Sequence, residues 1–125
     1  MTAQETKIKI IASILEKFKT RFRVFDNTAG DKRVVAEQFP DIIFLQPEPP
    51  PNNNILFVMK IETGENLLDS VAEWKGLGNI PSVLYIVVPA SKLDEAKKLA
   101  NAAGVRAKFA WYELSGENLK QIQYE

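Results

Sequence analysis

The chain has 125 residues, with 16 basic side chains balancing 16 acidic ones, and contains neither cysteine nor histidine. Those two absences exclude disulfide frameworks, thiolate metal centres and every nucleophile system that depends on a Cys–His or Ser–His–Asp arrangement. What remains is carboxylate, amine, hydroxyl and backbone chemistry. Hydrophobic residues make up 46% and charged residues 26%, and one globular domain spanning 1–125 is expected.

Zero net charge argues against a constitutive high-affinity nucleic-acid binder, which carries a basic excess. The charge is unevenly spread, however. Residues 1–33 hold eight basic and four acidic side chains, whereas residues 34–75 hold two basic and seven acidic. A basic rim beside an acidic pocket suits a metal-dependent enzyme acting on a polyanion, and a mosaic of solvated faces gives the same pattern. The N-terminal stretch mixes Glu5, Lys7 and Lys9 with its apolar residues and lacks the order of a signal peptide. The longest apolar run, near Val83–Ala90, falls far short of the ~20 residues that span a bilayer. A soluble cytoplasmic protein with no membrane association is the resulting expectation.

The elements follow in chain order. Residues 2–19 read as a helix, with Thr2 and Glu5 at capping-box spacing and Ile8, Ile11, Leu15 and Phe18 on one face, Ile14 beside them. Arg21–Asp26 reads as a strand and Asn27–Asp31 as a turn, with Arg33–Phe39 a short strand or irregular edge. Pro40–Leu45 is a second strand. Gln46–Asn54, with four prolines and three asparagines, is a loop.

Ile55–Glu62 is the third strand. Ile55, Phe57, Met59 and Ile61 are expected on one face, and Leu56, Val58, Lys60 and Glu62 on the other. Both faces begin apolar, which places the strand centrally in a sheet. Residues 63–66 turn into a helix carrying Leu67, Val71 and Trp74 inward, with Leu68 adjacent, and Gly76, Gly78 and Pro81 end it. Val83–Val88 is a strand buried on both faces. Ser91 is expected to cap a helix whose inner face is Leu93, Ala96, Leu99, Ala100 and Ala103, with Gly104 just past its end. Arg106–Leu114 reads as a strand, and Leu119–Tyr124 as a last strand or a frayed tail. The third and fourth strands and the helix between them form a β-α-β crossover, which requires a parallel pair. The fold class is therefore α/β, a central mixed sheet flanked by helices.

Three polar residues interrupt these apolar strands. If the loop between the second and third strands is centred near Pro50, Leu45 opposes Ile55 and Asp41 lies opposite about Met59. Lys60 and Glu62 share a face because strand side chains alternate. Asp41, Lys60 and Glu62 therefore converge at one end of the sheet. Two carboxylates at such a place can hold a hard cation, magnesium or manganese, through oxygen ligands. The cation would activate a water, and the lysine would orient it or stabilise charge on phosphorus.

Pro40-Asp41, a loop, and then Lys60-Ile61-Glu62-Thr63-Gly64 on a strand resembles the PD-(D/E)XK nuclease superfamily. The order helix, three-strand meander, helix, strand is similar to that superfamily's core over roughly residues 2–105. The resemblance implies a restriction-endonuclease-like fold and metal-dependent hydrolysis of nucleic-acid phosphodiester bonds. Asp41, Lys60 and Glu62 would be catalytic, Asp41 and Glu62 would hold Mg2+ or Mn2+, and Glu16 would match a helix carboxylate used by some members. Nucleic acid would be the partner, with a homodimer to grip a duplex. The superfamily places the acid first and the lysine two residues later, whereas here the lysine comes first. This degenerate order keeps open an alternative: a catalytically degenerate nuclease-fold protein acting as a binding or oligomerisation module, with the ammonium in the cation's place. An ion-pair cluster without catalysis fits the same three residues.

Other features have plainer readings. Glu65, Asp69 and Glu73 step along a solvated helix face. Trp74 is a core anchor rather than a stacking platform. Trp111 and Tyr112 alternate, so one is expected to point outward, into an interface or onto a base. Pro47–Pro51 reads as a stiff loop or a polyproline ligand. Gly76 and Gly78 lack the Gly-Lys-Ser/Thr ending of a phosphate loop.

Overall fold

The structure is a computed structural model that describes residues 2–27, 40–47, 55–116 and 118–125. Most of the expected turn at 27–31, the segment 33–39 and most of the proline-rich loop lie outside the described residues.

Helix α1 spans Ala3–Phe18. The Thr2 hydroxyl accepts from the Glu5 amide at 3.1 Å, as the capping spacing predicts, while the Glu5 carboxylate accepts from that hydroxyl at 3.2 Å instead of returning to the Thr2 amide. The buried stripe is Ile10, Ile11 and Ile14, and Ile8 is 55% exposed, contrary to the expected face. At ~100° per residue, Ile8 sits roughly 110° round the helix from the middle of the stripe that includes Ile10 and Ile14.

Strands β1 (Arg23–Asp26), β2 (Ile42–Leu45) and β3 (Ile55–Ile61) form an antiparallel meander. Helix α2 (Leu67–Leu77) leads to β4 (Val83–Pro89), which pairs parallel with β3. A 3-10 turn, Ala90–Lys92, precedes α3 (Leu93–Ala103), so Ser91 lies within that turn and is not the helix cap expected of it. Gly104 ends α3 in the left-handed conformation (φ 73°). Strand β5 (Lys108–Tyr112) pairs parallel with β4. The chain then makes a small hairpin, β6 (Leu114–Ser115) with β7 (Asn118–Leu119), and returns as β8 (Gln123–Tyr124), antiparallel to β5.

Among the described residues the result is α/β: a mixed six-stranded sheet in the order β1-β2-β3-β4-β5-β8, with three helices. No helix among the described residues is long and apolar enough to cross a membrane.

The two sheet faces are filled differently. One carries Ile43, Val58, Ile86, Val88 and Phe109 against α2 and α3 through Leu67, Trp74, Leu77, Ala96 and Ala100. The other carries Ile42, Phe44, Met59, Ile61, Val87 and Tyr112 against Ile10, Ile11 and Ile14 of α1, with Ile122 of the C-terminal segment in the same cluster. Strand alternation holds along β3 from Phe57 to Ile61, but Ile55 packs on the α2 side. The register shift between Phe44 and Leu45 pairs Leu45 with Ile55 and turns that residue over. Neither aromatic at the end of β5 points out: Tyr112 is buried under α1, and Trp111 is half-buried on the α2/α3 side.

Candidate functional site

Ile42 pairs with Met59, so Asp41 sits one residue beyond the ladder, one position from its expected partner. Its amide donates to the Met59 carbonyl at 2.9 Å. The Asn27 amide donates to the Asp41 carbonyl at 2.8 Å, and the Asn27 side chain donates to Pro40 O at 2.9 Å. The backbone is thus held on both sides, and the carboxylate folds back across the strand end. There Oδ2 accepts the Ile61 amide at 2.8 Å. The side chain serves a strand donor where β2 has ended, which a buried amide requires. From α1, Lys7 Nζ reaches Asp41 Oδ1 at 2.8 Å.

Lys60 projects from β3 towards α2. Its Nζ lies 3.7 Å from Asp41 Oδ2 and 3.2 Å from Glu73 Oε1. Glu73 is therefore exposed, as its helix face predicts, and still anchors Lys60. Burial pulls the Lys60 ammonium towards neutrality, but the charges of Asp41, Glu62 and Glu73 together outweigh it and hold its pKa above the ordinary lysine value.

Glu62 extends β3 by one amide, which donates to Val87 O at 2.8 Å. Its side chain follows the alternation of Val58 and Lys60 and enters the α2 side. Ser70 Oγ donates to Oε1 at 2.8 Å and Trp74 Nε1 to Oε2 at 3.0 Å. Ser70 and Trp74 are four apart on α2 and so lie on one helix face. The Tyr112 hydroxyl donates to the Glu62 carbonyl at 2.9 Å. Burial first, and the Glu62 charge second, push that phenol up to about 12.

Asp41, Lys60 and Glu62 are thus gathered at one end of the sheet, but not around one empty space. The Asp41 carboxylate is turned to Lys7 and a β3 amide, the Glu62 carboxylate to α2, and Lys60 stands between them. Among the described residues, no group of three His, Cys, Asp or Glu side chains is placed to hold a metal ion. The donor set does not fit a resident divalent cation. Each carboxylate oxygen already accepts from a protein donor, and two ammonium groups supply the neutralising charge. Glu16 takes no part, since it pairs with Lys19 at 2.7 Å near the other end of α1.

Beside this cluster, a cleft of about 560 Å³ opens at the carboxyl ends of β3, β4 and β5. Its lining includes Thr6, Thr63, Gly64, Lys92, Tyr112 and Glu113, but not Asp41, Lys60 or Glu62. Gly64 shapes it: φ is +91°, and a Cβ there would meet Pro89 Cγ at 3.0 Å.

Sequence reasoning missed Lys7, Ser70 and Tyr112 as partners of the cluster, and it assigned Trp74 to packing alone. The Trp74 signal was present: a tryptophan anchored in a core needs an acceptor for its indole N–H, and Glu62 leads into the same helix. Lys7 and Tyr112 carried no such signal, because they arrive from elements whose placement is a property of the whole fold.

No protein-family model matches the chain, and neither a curated protein nor a solved structure does.

Proposed function

We propose that this chain is a catalytically degenerate protein of restriction-endonuclease-like fold, acting as a binding or oligomerisation module and not as a metal-dependent nuclease. The fold assignment is supported by the succession α1, the β1–β3 meander, α2 and a parallel β4, together with the order of these strands in the sheet. The functional reading rests on one observation: the oxygens of Asp41 and Glu62 are engaged by Lys7, the Ile61 amide, Ser70 and Trp74. An ammonium at Lys60 neutralises the pair where a hard cation would otherwise be needed. The inverted lysine and acid of β3 thus have a structural use that requires no hydrolysis.

Manganese titration by calorimetry tests this. The wild type is expected to show no saturable binding at up to about 1 mM metal, and no manganese-dependent cleavage of single- or double-stranded DNA or RNA. Lys60→Glu, which replaces the ammonium with a third carboxylate between Asp41 and Glu62, is expected to gain metal affinity. Manganese binding by the wild type that is lost in Glu62→Gln, accompanied by cleavage, would overturn the reading and restore the nuclease.

A further inference from the structure

Six strands at ~4.8 Å spacing span about 24 Å, whereas one helix covers about 10 Å. The face packed by α1 and the C-terminal segment around Ile122 is therefore incompletely roofed by helix among the described residues. Beyond the C-terminal end of α1 an aromatic groove of about 300 Å³ remains, lined chiefly by Lys17, Arg21, Phe22, Phe57, Tyr85 and Tyr124. Its rings brace one another at angles. Phe22 meets Phe57 at 5.5 Å and 84°, Phe57 meets Tyr85 at 5.6 Å and 60°, and Phe18 meets Tyr124 at 5.5 Å and 84°. The five rings lining the groove, Phe18 included, are each half-buried, so each keeps surface towards solvent.

The mouth is positive. Lys17 Nζ sits 4.6 Å from the Tyr124 ring centroid, and Lys17 and Arg21 are both exposed. Neither forms an ion pair with a carboxylate of the described residues, and the neighbouring Glu16 is taken by Lys19. Among the described residues, no acidic side chain lines the groove. Burial and the neighbouring Tyr85 phenol push Tyr124 up to about 12, so its hydroxyl is a neutral donor at pH 7.

Aromatic walls, the Tyr124 hydroxyl and two cations without a carboxylate partner among the described residues together select a planar aromatic ring that carries an anionic group. The volume sits at the lower limit of ligand sites, enough for one ring system and not for a duplex, whose bases are stacked away. We propose that this groove binds a single unpaired nucleotide, its base against Phe22, Phe57, Tyr85 and Tyr124 and its phosphate on Lys17 and Arg21. The groove stands apart from the Asp41 cluster: Lys7 and Lys17 are ten residues apart on α1, about 15 Å at the helical rise. The proposal therefore goes beyond the reading above, and its failure would leave the manganese result untouched.

Fluorescence anisotropy with labelled deca-deoxyadenylate, and with an abasic decamer of equal charge, tests it at about 50 mM salt. Base stacking predicts that the abasic strand binds at least about 10-fold more weakly. The exposed-site double variant Lys17→Glu/Arg21→Glu is expected to weaken deca-deoxyadenylate at least 10-fold while leaving the circular dichroism spectrum unchanged. Tyr124→Leu should weaken it with a smaller loss for the abasic strand. AMP that displaces the labelled strand identifies a free-nucleotide site, and AMP that does not identifies a site for single strands; both support the proposal. Equal affinity for the two decamers, indifference to the double charge reversal, or no binding of either AMP or deca-deoxyadenylate at 100 µM protein would each overturn it. So would a dimer of this chain that the same charge reversal dissolves, because a second copy would then be the groove's occupant.

Discussion

Asp41 and Glu62 are both carboxylates at one end of the sheet, and both are nearly buried, at 7% and 8% exposure, yet they are held by opposite means. Asp41 sits between two ammonium groups and a strand amide. Glu62 receives two neutral donors from one face of α2. Asp41 is therefore a hub on which two partly buried cations depend, whereas Glu62 is an acceptor that orients a helix. Removing a partner from a buried ion pair leaves the remaining charge uncompensated, which costs far more than a hydrogen bond between neutral groups. Asp41→Ala strands Lys7, leaves Lys60 with Glu73 as its remaining ion-pair partner among the described residues and orphans the Ile61 amide, and is expected to destabilise the fold by about 3 kcal/mol in urea unfolding. A loss below about 1 kcal/mol would show the cluster to be an ordinary surface ion pair, and the contrast would fail.

Alkaline pH engages one group on each side of the contrast. Tyr112, under Glu62, has its phenol raised to about 12 from 10.0. Between those values the unfolded chain releases the proton while the folded chain retains it, so stability falls as pH rises. Two pKa units correspond to about 3 kcal/mol in total. Lys60, beside Asp41, is also raised from 10.5, so its contribution is complete below that value and disappears as pH climbs through the folded pKa. Tyr112→Phe is expected to lose about 1 kcal/mol at pH 7 through the missing bond to the Glu62 carbonyl. It should then decline less steeply than the wild type between pH 10 and 12, with the difference in urea midpoints narrowing or reversing. A constant difference across that range would remove Tyr112 from the alkaline transition.

The hairpin register that brings Asp41, Lys60 and Glu62 together was legible because alternation and loop length fix it locally, and the parallel β3–β4 crossover was legible from its helix-length connection. The direction of each carboxylate was not. Whether Asp41 meets a metal or Lys7 depends on where α1 crosses the sheet, and no local pattern encodes that. Helix propensity and a generous run of isoleucines also concealed the true stripe of α1, since Ile8 and Ile10 are equally apolar and only packing separates them. Ser91 illustrates the same limit at the start of α3, where a favourable cap residue was absorbed into a 3-10 turn. Alternation puts Trp111 on the face opposite Tyr112, and it is half-buried there because two helices roof that face, a consequence of layer count that alternation alone does not reveal.

The smallest expected effect sharpens the contrast most. In Glu62→Gln the amide oxygen can still accept from Trp74 Nε1, and the new NH2 can donate to Ser70 Oγ once that hydroxyl rotates. Every buried polar atom keeps a partner, and what disappears is the charge assistance of two bonds and a distant contribution to Lys60. The expected cost is about 1 kcal/mol or less by urea unfolding, several-fold below that of Asp41→Ala. The gap between these variants measures how far the site has become a lysine-held hub and not a symmetric pair of carboxylates. If Glu62→Gln instead costs as much as Asp41→Ala, the Glu62 charge is as integral as that of Asp41, and the two carboxylates act as one unit around Lys60.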